Sequence, residues 1–141
     1  MTVRDRAGTT AGGVRLNQLT AAVIGAVLVL VGLAGFFVSS DHDAIGQDGG
    51  ELLGLFQVNV LHNLVHLAVG AVMVAAAILG RWAAKTVNLA IGLVYVLLFV
   101  IGLFIIDTGG NIIALNSADN VLHAALGVVL IGVGAAADRR T

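Results

Sequence analysis

Cysteine and proline are both absent from these 141 residues, and Lys, Arg, Asp and Glu together make up only 11%. Without cysteine there is no disulfide and no thiolate metal site. Without proline, no helix carries a proline kink. A soluble domain draws about a quarter of its residues from the charged set. The low charged share, beside 59% hydrophobic residues, excludes an ordinary soluble domain. A formal net charge of −1 gives no sign of a nucleic-acid partner.

What is abundant is apolar sequence in long runs. Four runs are long enough to cross a bilayer as helices, which takes about 20 residues. They cover 19–38, 58–79, 87–106 and 118–137. The expected fold is all-α, a polytopic membrane protein with four transmembrane helices in a bundle. The first run follows Arg4, Arg6 and Arg15, as a signal peptide would. Its length, and the poor cleavage site at Val38-Ser39-Ser40, favour a retained span. Residues 1–18 read as a polar, disordered cytoplasmic tail and 138–141 as a short cytoplasmic end.

Orientation follows from the basic residues. All seven fall in the N-terminal tail, between spans two and three (Arg81, Lys85) or at the C-terminus (Arg139, Arg140). The connections 39–57 and 107–117 contain none. The positive-inside rule then sets both termini in the cytoplasm, with Trp82 as an aromatic anchor at that interface. The first outer loop is acidic, with Asp41, Asp43, Asp48 and Glu51 around His42, which reads as a solvated surface residue. Within that loop Asp48-Gly49-Gly50 reads as a turn. The apolar stretch Leu52–Phe56 reads either as a short interfacial segment broken at Gly54 or as the start of a long tilted helix.

The strongest pattern is a polar set that occurs twice. Asn59, His62, Asn63, His66 and Gly70 are answered by Asn116, Asp119, Asn120, His123 and Gly127, each 57 positions later. Spacings of three and four put each set on one helix face. Buried His, Asp and Asn in a membrane are costly, so the repetition demands a reason. The arrangement expected is two parallel helix-hairpin repeats, with spans two and four adjacent and their polar faces turned inward. His66 would then stand opposite His123, and His62 opposite Asp119. Spans one and three echo each other more weakly, Val31-Gly32-Leu33 against Ile101-Gly102-Leu103. Gly25, Gly32, Gly35, Gly92 and Gly102, with Gly70 and Gly127, suit close helix packing. Tyr95 shares a face with Asn88, Gly92, Phe99 and Gly102 and could reach the polar interior, but a packed Tyr with its hydroxyl satisfied is the commoner outcome and the one expected.

The segment from Phe56 through Asn59, His62 and Asn63 to His66, with its later partner from Leu115 to His123, resembles the signature of small four-helix membrane proteins common in actinobacteria. That family is known as a domain of unknown function. The resemblance spans about residues 19–137 and implies a bacterial plasma-membrane protein with four spans. It implies no activity.

Four roles fit the cluster. Asn and His can hydrogen-bond across helices, worth about 0.6 to 2 kcal/mol each, as a purely structural device. His62, His66, Asp119 and His123 can converge on a divalent metal such as Zn, with Asn63 and Asn120 supporting the ligands. His66 and His123 can be the axial ligands of one haem b, with Gly70 and Gly127 making room for the macrocycle. A pH-sensing or proton-handling role is the fourth. No nucleophile–base constellation appears, so an enzyme is disfavoured, and four short helices rarely enclose a transport path. The reading adopted from sequence is a non-enzymatic structural or partner-binding membrane component, set in the bilayer beside other membrane proteins or its own copies. The alternative is a metal- or haem-binding protein.

Overall fold

A computed structural model describes residues 15–138. The expectations for residues 1–14 and 139–141 lie outside the described residues. The chain forms α1 (Leu16–Ser39), a short hairpin of β1 (Gly50–Leu52) and β2 (Phe56–Val58), then α2 (Val60–Leu79), α3 (Arg81–Ile105) and α4 (Ser117–Ala136). All four helices are long and apolar enough to cross a membrane. They pack as an up-down-up-down bundle, α1 against α2 and α3 against α4.

The bundle is built inside out relative to a soluble protein. Buried positions of α1 are Asn17, Ala21, Gly25, Leu28, Gly32, Gly35 and Ser39, a stripe of mostly small or polar side chains. The large apolar side chains face outward, with Phe37 87%, Ile78 80% and Phe104 76% exposed. This suits lipid, which gives apolar side chains no reason to hide and rewards close backbone approach instead. Gly25 and Gly70 supply that approach between α1 and α2, and Gly92 and Gly127 supply it between α3 and α4. A small apolar core of Leu28, Met73, Tyr95 and Leu130 fills the centre.

Three expectations change. The stretch after Gly50 does break at Gly54 and is not the start of a long tilted helix. It is a hairpin with Gly50 paired to Val58 and Leu52 to Phe56. Leu53 (φ 57) and Gly54 (φ 65) turn it in the left-handed region, which breaks any helix there. Second, α2 and α4 are diagonal rather than adjacent. The neighbours of α2 are α1 and α3, and only side chains bridge from α2 to α4. Third, Gly35, not Gly32, matches Gly102. A Cβ on Gly35 would overlap the Asn63 amide, and one on Gly102 the Asn120 amide. Gly25 and Gly92 keep the same separation of 67 positions. The helix starts of α2 and α4 are 57 positions apart. The first half is thus longer in its connection, where the hairpin lies.

The two ends of the bundle differ. One holds the hairpin and the 106–116 connection, with Asp41, Asp43, Asp48, Glu51 and Asp107 and no Lys or Arg. The other holds Arg15, Arg81, Lys85 and Trp82, with the Arg81 guanidinium 4.7 Å from the Trp82 ring centroid. There Gly80 alone separates α2 from α3, at a φ of 115 that favours glycine.

At that same end α1 begins three residues earlier than its apolar run, and Asn17 explains why. Its side chain and backbone N–H both donate to Asp138, at 3.0 and 3.1 Å, and its two oxygens accept from the Asn88 amide at 3.1 Å. This ties α1, α3 and the exit of α4 together. Desolvation, the largest single influence, pushes the Asp138 carboxyl upward. The hydrogen bonds from Asn17 and the Arg15 charge outweigh that and hold it below the usual carboxylate range. A carboxyl held low adds stability above its unfolded value of 3.8 and loses it as pH falls below. Asn17→Ala is expected to cost about 1–2 kcal/mol at neutral pH. In detergent unfolding curves the wild type should lose most of that advantage under strongly acidic conditions.

Candidate metal centre

Each half of the polar pattern starts at a helix cap. Asn59 caps α2, its side-chain oxygen accepting from the His62 N–H at 2.9 Å. Asn116 caps α4 in the same way, accepting from the Asp119 N–H at 2.9 Å. The amide of each then reaches a carbonyl of the opposite half, and that of Asn59 also one of its own loop. Asn59 donates to the carbonyls of Gly46 and Ile112, both at 3.0 Å, and Asn116 donates to that of Leu55 at 2.8 Å. A bridge between Gly46 and Ile113 closes the seam. The two loops form one hydrogen-bonded cover over this end of the bundle.

Third along each helix, the two halves diverge. Asp119 is short and acidic, so it completes a capping box by accepting from the Asn116 N–H at 3.2 Å. The same oxygen accepts from the Gln57 N–H of β2 at 3.1 Å. His62, at the matching position, carries no such carboxylate, and its ring turns into the bundle. It lies against the backbone of Gln57 and Ile113 without reaching hydrogen-bond geometry. Asp119→Ala should therefore cost about 1–2 kcal/mol of stability, like other lost caps, measured by detergent unfolding. It should leave metal stoichiometry unchanged.

Fourth along, Asn63 donates to the Ser39 hydroxyl at 3.0 Å and Asn120 to the Phe99 carbonyl at 3.2 Å. Each amide sits over a glycine of the neighbouring helix, where any side chain would collide. These asparagines fasten α1 to α2 and α3 to α4.

The seventh residue of each helix brings the site together. His66 and His123 point into the bundle at matching depth, about 10 Å along from their caps. The His62 and His66 rings are 4.4 Å apart between centroids, and His62 and His123 are 6.0 Å apart. One ring nitrogen from each of the three lies within 4.8 Å of the others. Tyr95 of α3 stacks on His123, centroids 5.0 Å apart and planes 20° from parallel. The expectation of a satisfied Tyr95 hydroxyl fails, since it has no hydrogen-bond partner among the described residues. Nor do both ring nitrogens of His62, or Nδ1 of His66 and of His123. A family model described as a domain of unknown function, DUF4383, matches residues 18–136. The chain belongs to this family. No curated protein and no solved structure matches it.

In this DUF4383 protein the three imidazoles and Tyr95 line one side of a cavity of about 140 Å³ between α2 and α3. A second cavity of about 160 Å³, between α1 and α4, shares His66 and His123 and adds Asp119. Of the four ligands expected from sequence, His62, His66 and His123 converge, while Asp119 lies outside that group with Oδ2 engaged at the cap. Beside the residues of the haem alternative, His66 and His123, the space is filled. His62 fills the space beside His66, and the room expected beside Gly70 and Gly127 is occupied. A Cβ on Gly70 would lie 2.7 Å from the Gly25 carbonyl, and one on Gly127 2.8 Å from Val96. His42 stands apart in the loop, bonded to Asp48 at 3.0 Å.

The sequence pattern offered Tyr95 as able to reach the polar interior, where it stacks on His123, and missed Asn17 as a tie. The signal for Asn17 was present, since the stripe of buried positions on α1, three or four apart, runs on to it.

Proposed function

We propose that this protein is a multi-pass plasma-membrane protein that holds a divalent cation of borderline softness, Zn²⁺ or a close neighbour, on His62, His66 and His123. The observation that carries this reading is the convergence of unpartnered donors. The Asn and Asp residues of the pattern have assigned work at caps and helix contacts, whereas the His and Tyr residues have none. A buried polar atom left unsatisfied costs about 1–3 kcal/mol. Five such atoms lie in one place. A cation bound by three imidazoles gives the histidines partners, and three nitrogens suit Zn²⁺ and its neighbours.

The geometry needs little change. Around one tetrahedral ion, ligand nitrogens at about 2.0–2.1 Å from the metal sit about 3.3 Å from each other. The nitrogens here lie within 4.8 Å, so side-chain rotations of roughly an ångström or more close the site. Three protein ligands leave a fourth position for water or another small ligand.

The orientation proposed has both termini in the cytoplasm, supported by the basic end and the acidic end of the bundle. The site then lies in the outer half of the membrane. The matched caps, amide–glycine contacts and histidines support descent of the two hairpins from one duplicated unit.

The test is stoichiometry. Protein in mild detergent is stripped with a chelator, equilibrated with Zn²⁺ and desalted. Elemental analysis is expected to give about one Zn per chain, and His42→Ala to leave that unchanged. Retention well below one per chain, or the same retention by a His62→Ala/His66→Ala double variant, overturns the reading.

A further inference from the structure

The second cavity has a chemistry that a metal ion does not use. Its walls are Val23, Val27 and Leu28 of α1 and Leu122 and Leu126 of α4, and its only polar lining is His66, His123 and Asp119. Val23 is 52% exposed, Val27 51% and Leu122 41%, so the mouth faces the surface that lipid covers. A smaller cavity of about 80 Å³ shares Val31, Leu122, His66 and Asp119 with it and runs under the hairpin to Leu53 and Phe56. At the hairpin end the loops carrying Asn59, Gly46, Ile112 and Ala114 are joined by hydrogen bonds. The mouth between Val23, Val27 and Leu122 gives an occupant a sideways route from the membrane.

The size and the polar group narrow the class. A dry cavity of about 150 Å³ accepts one benzene ring, and this one measures about 160 Å³. Oδ2 of Asp119 is committed to the Asn116 and Gln57 N–H groups, and Oδ1 makes no hydrogen bond among the described residues. A free carboxylate oxygen accepts a proton donor. The neighbouring imidazoles donate or accept according to tautomer. An acyl chain offers nothing to this set, and a charged headgroup would have to shed its hydration to pass apolar walls.

We propose that the chamber between α1 and α4 binds a lipid-soluble hydroxyaromatic molecule of the phenol or quinol class, its hydroxyl on Asp119 beside His66 and His123 and its tail under the hairpin. The ring lies beside His66 and His123, two of the ligands of the metal proposed above. The binding itself rests on the chamber and Asp119, and only that adjacency rests on the metal reading.

The probe is 4-propylphenol, with propylbenzene as its partner lacking the hydroxyl. Binding is followed by saturation-transfer NMR and equilibrium dialysis on metal-stripped full-length protein in detergent. The phenol is expected to bind at one site per chain, at least tenfold tighter than propylbenzene. Asp119→Ala should reduce that preference to less than threefold. A Val27→Phe/Leu122→Phe variant, which narrows the mouth, should lose the phenol site while keeping the wild-type Zn stoichiometry. Equal affinity for the two probes overturns the proposal and makes the chamber a slot for acyl chains or detergent. Absence of saturable phenol binding overturns it too. Loss of Zn binding in His62→Ala, a residue outside the chamber, with phenol binding retained would leave this proposal standing, whereas loss of phenol binding alone leaves the metal reading standing.

Discussion

Replacing His123 with leucine is expected to make the metal-free protein more stable and the metal-loaded protein less stable than the wild type. The sign change follows from what the imidazole does in each state. Without metal, Nδ1 of His123 is buried with no hydrogen-bond partner, beside His62 and Tyr95. Leucine is of similar bulk and has no polar group to strand. Removing an unsatisfied group returns about 1–3 kcal/mol, less whatever packing on Tyr95 is lost. With metal, the wild type gains the binding energy as stability, about 2.7 kcal/mol when free metal is a hundredfold above Kd. The variant has two imidazoles left and loses most of that gain. Its metal affinity should fall at least a hundredfold. Unfolding by SDS, with chelator and with Zn²⁺, should show the two curves exchange order. A variant less stable than the wild type in both conditions by the same amount would mean that His123 only packs.

The second large effect concerns glycine. Gly70→Ala is expected to destabilise the bundle by about 2–3 kcal/mol, within the range for overfilling a tight contact. The added Cβ would lie 2.7 Å from the Gly25 carbonyl and 2.9 Å from the Val29 nitrogen. Both are backbone atoms, so α1 and α2 must separate rather than one side chain step aside. His66 is one turn away on the same face, so metal affinity should fall along with stability. Gly132→Ala is the control. Nothing lies within 4 Å of its Cβ. Alanine is the better helix former there, by up to about 1 kcal/mol, so this variant should be unchanged or more stable. Similar losses from both would mean that helix contact does not explain Gly70.

Much of this was legible in the sequence for physical reasons. Apolar runs long enough to span a bilayer leave the backbone no option but helix, so the four helices and their order followed from run length. The repeated Asn and His positions reported a shared helix face because spacings of three and four can do little else. The hairpin was not legible. Leu52, Leu53, Leu55 and Phe56 look helical in composition, and what turns the chain is left-handed backbone at Leu53 and Gly54. Leucine rarely adopts that conformation, so no sequence rule marks it.

The roles inside the repeat were legible only in part. His62 and Asp119 occupy the same place in two matching helices, and the sequence suggested that they face each other. A carboxylate at the third helical position has backbone N–H groups within reach and takes them. An imidazole there goes inward, toward His66 and His123. The single departure from the repeat thus separates a residue that caps from one that joins the cluster. The sequence showed the exchange without showing which way each side chain turns. The diagonal placement of α2 and α4 was equally hidden, since a periodic pattern gives a face and not a neighbour. Long imidazoles meet across that diagonal where backbones do not.

In the proposed metal site the histidines are the ligands drawn from the repeated polar set. X-ray absorption at the zinc edge of the loaded protein tests that assignment most directly. The account predicts three imidazole nitrogens at about 2.0–2.1 Å and one further light atom, with the outer-shell scattering of imidazole rings. That spectrum should survive in Asp119→Ala and vanish in the His62→Ala/His66→Ala variant. A spectrum dominated by oxygen ligands with no imidazole scattering, or one that disappears with Asp119, would contradict it.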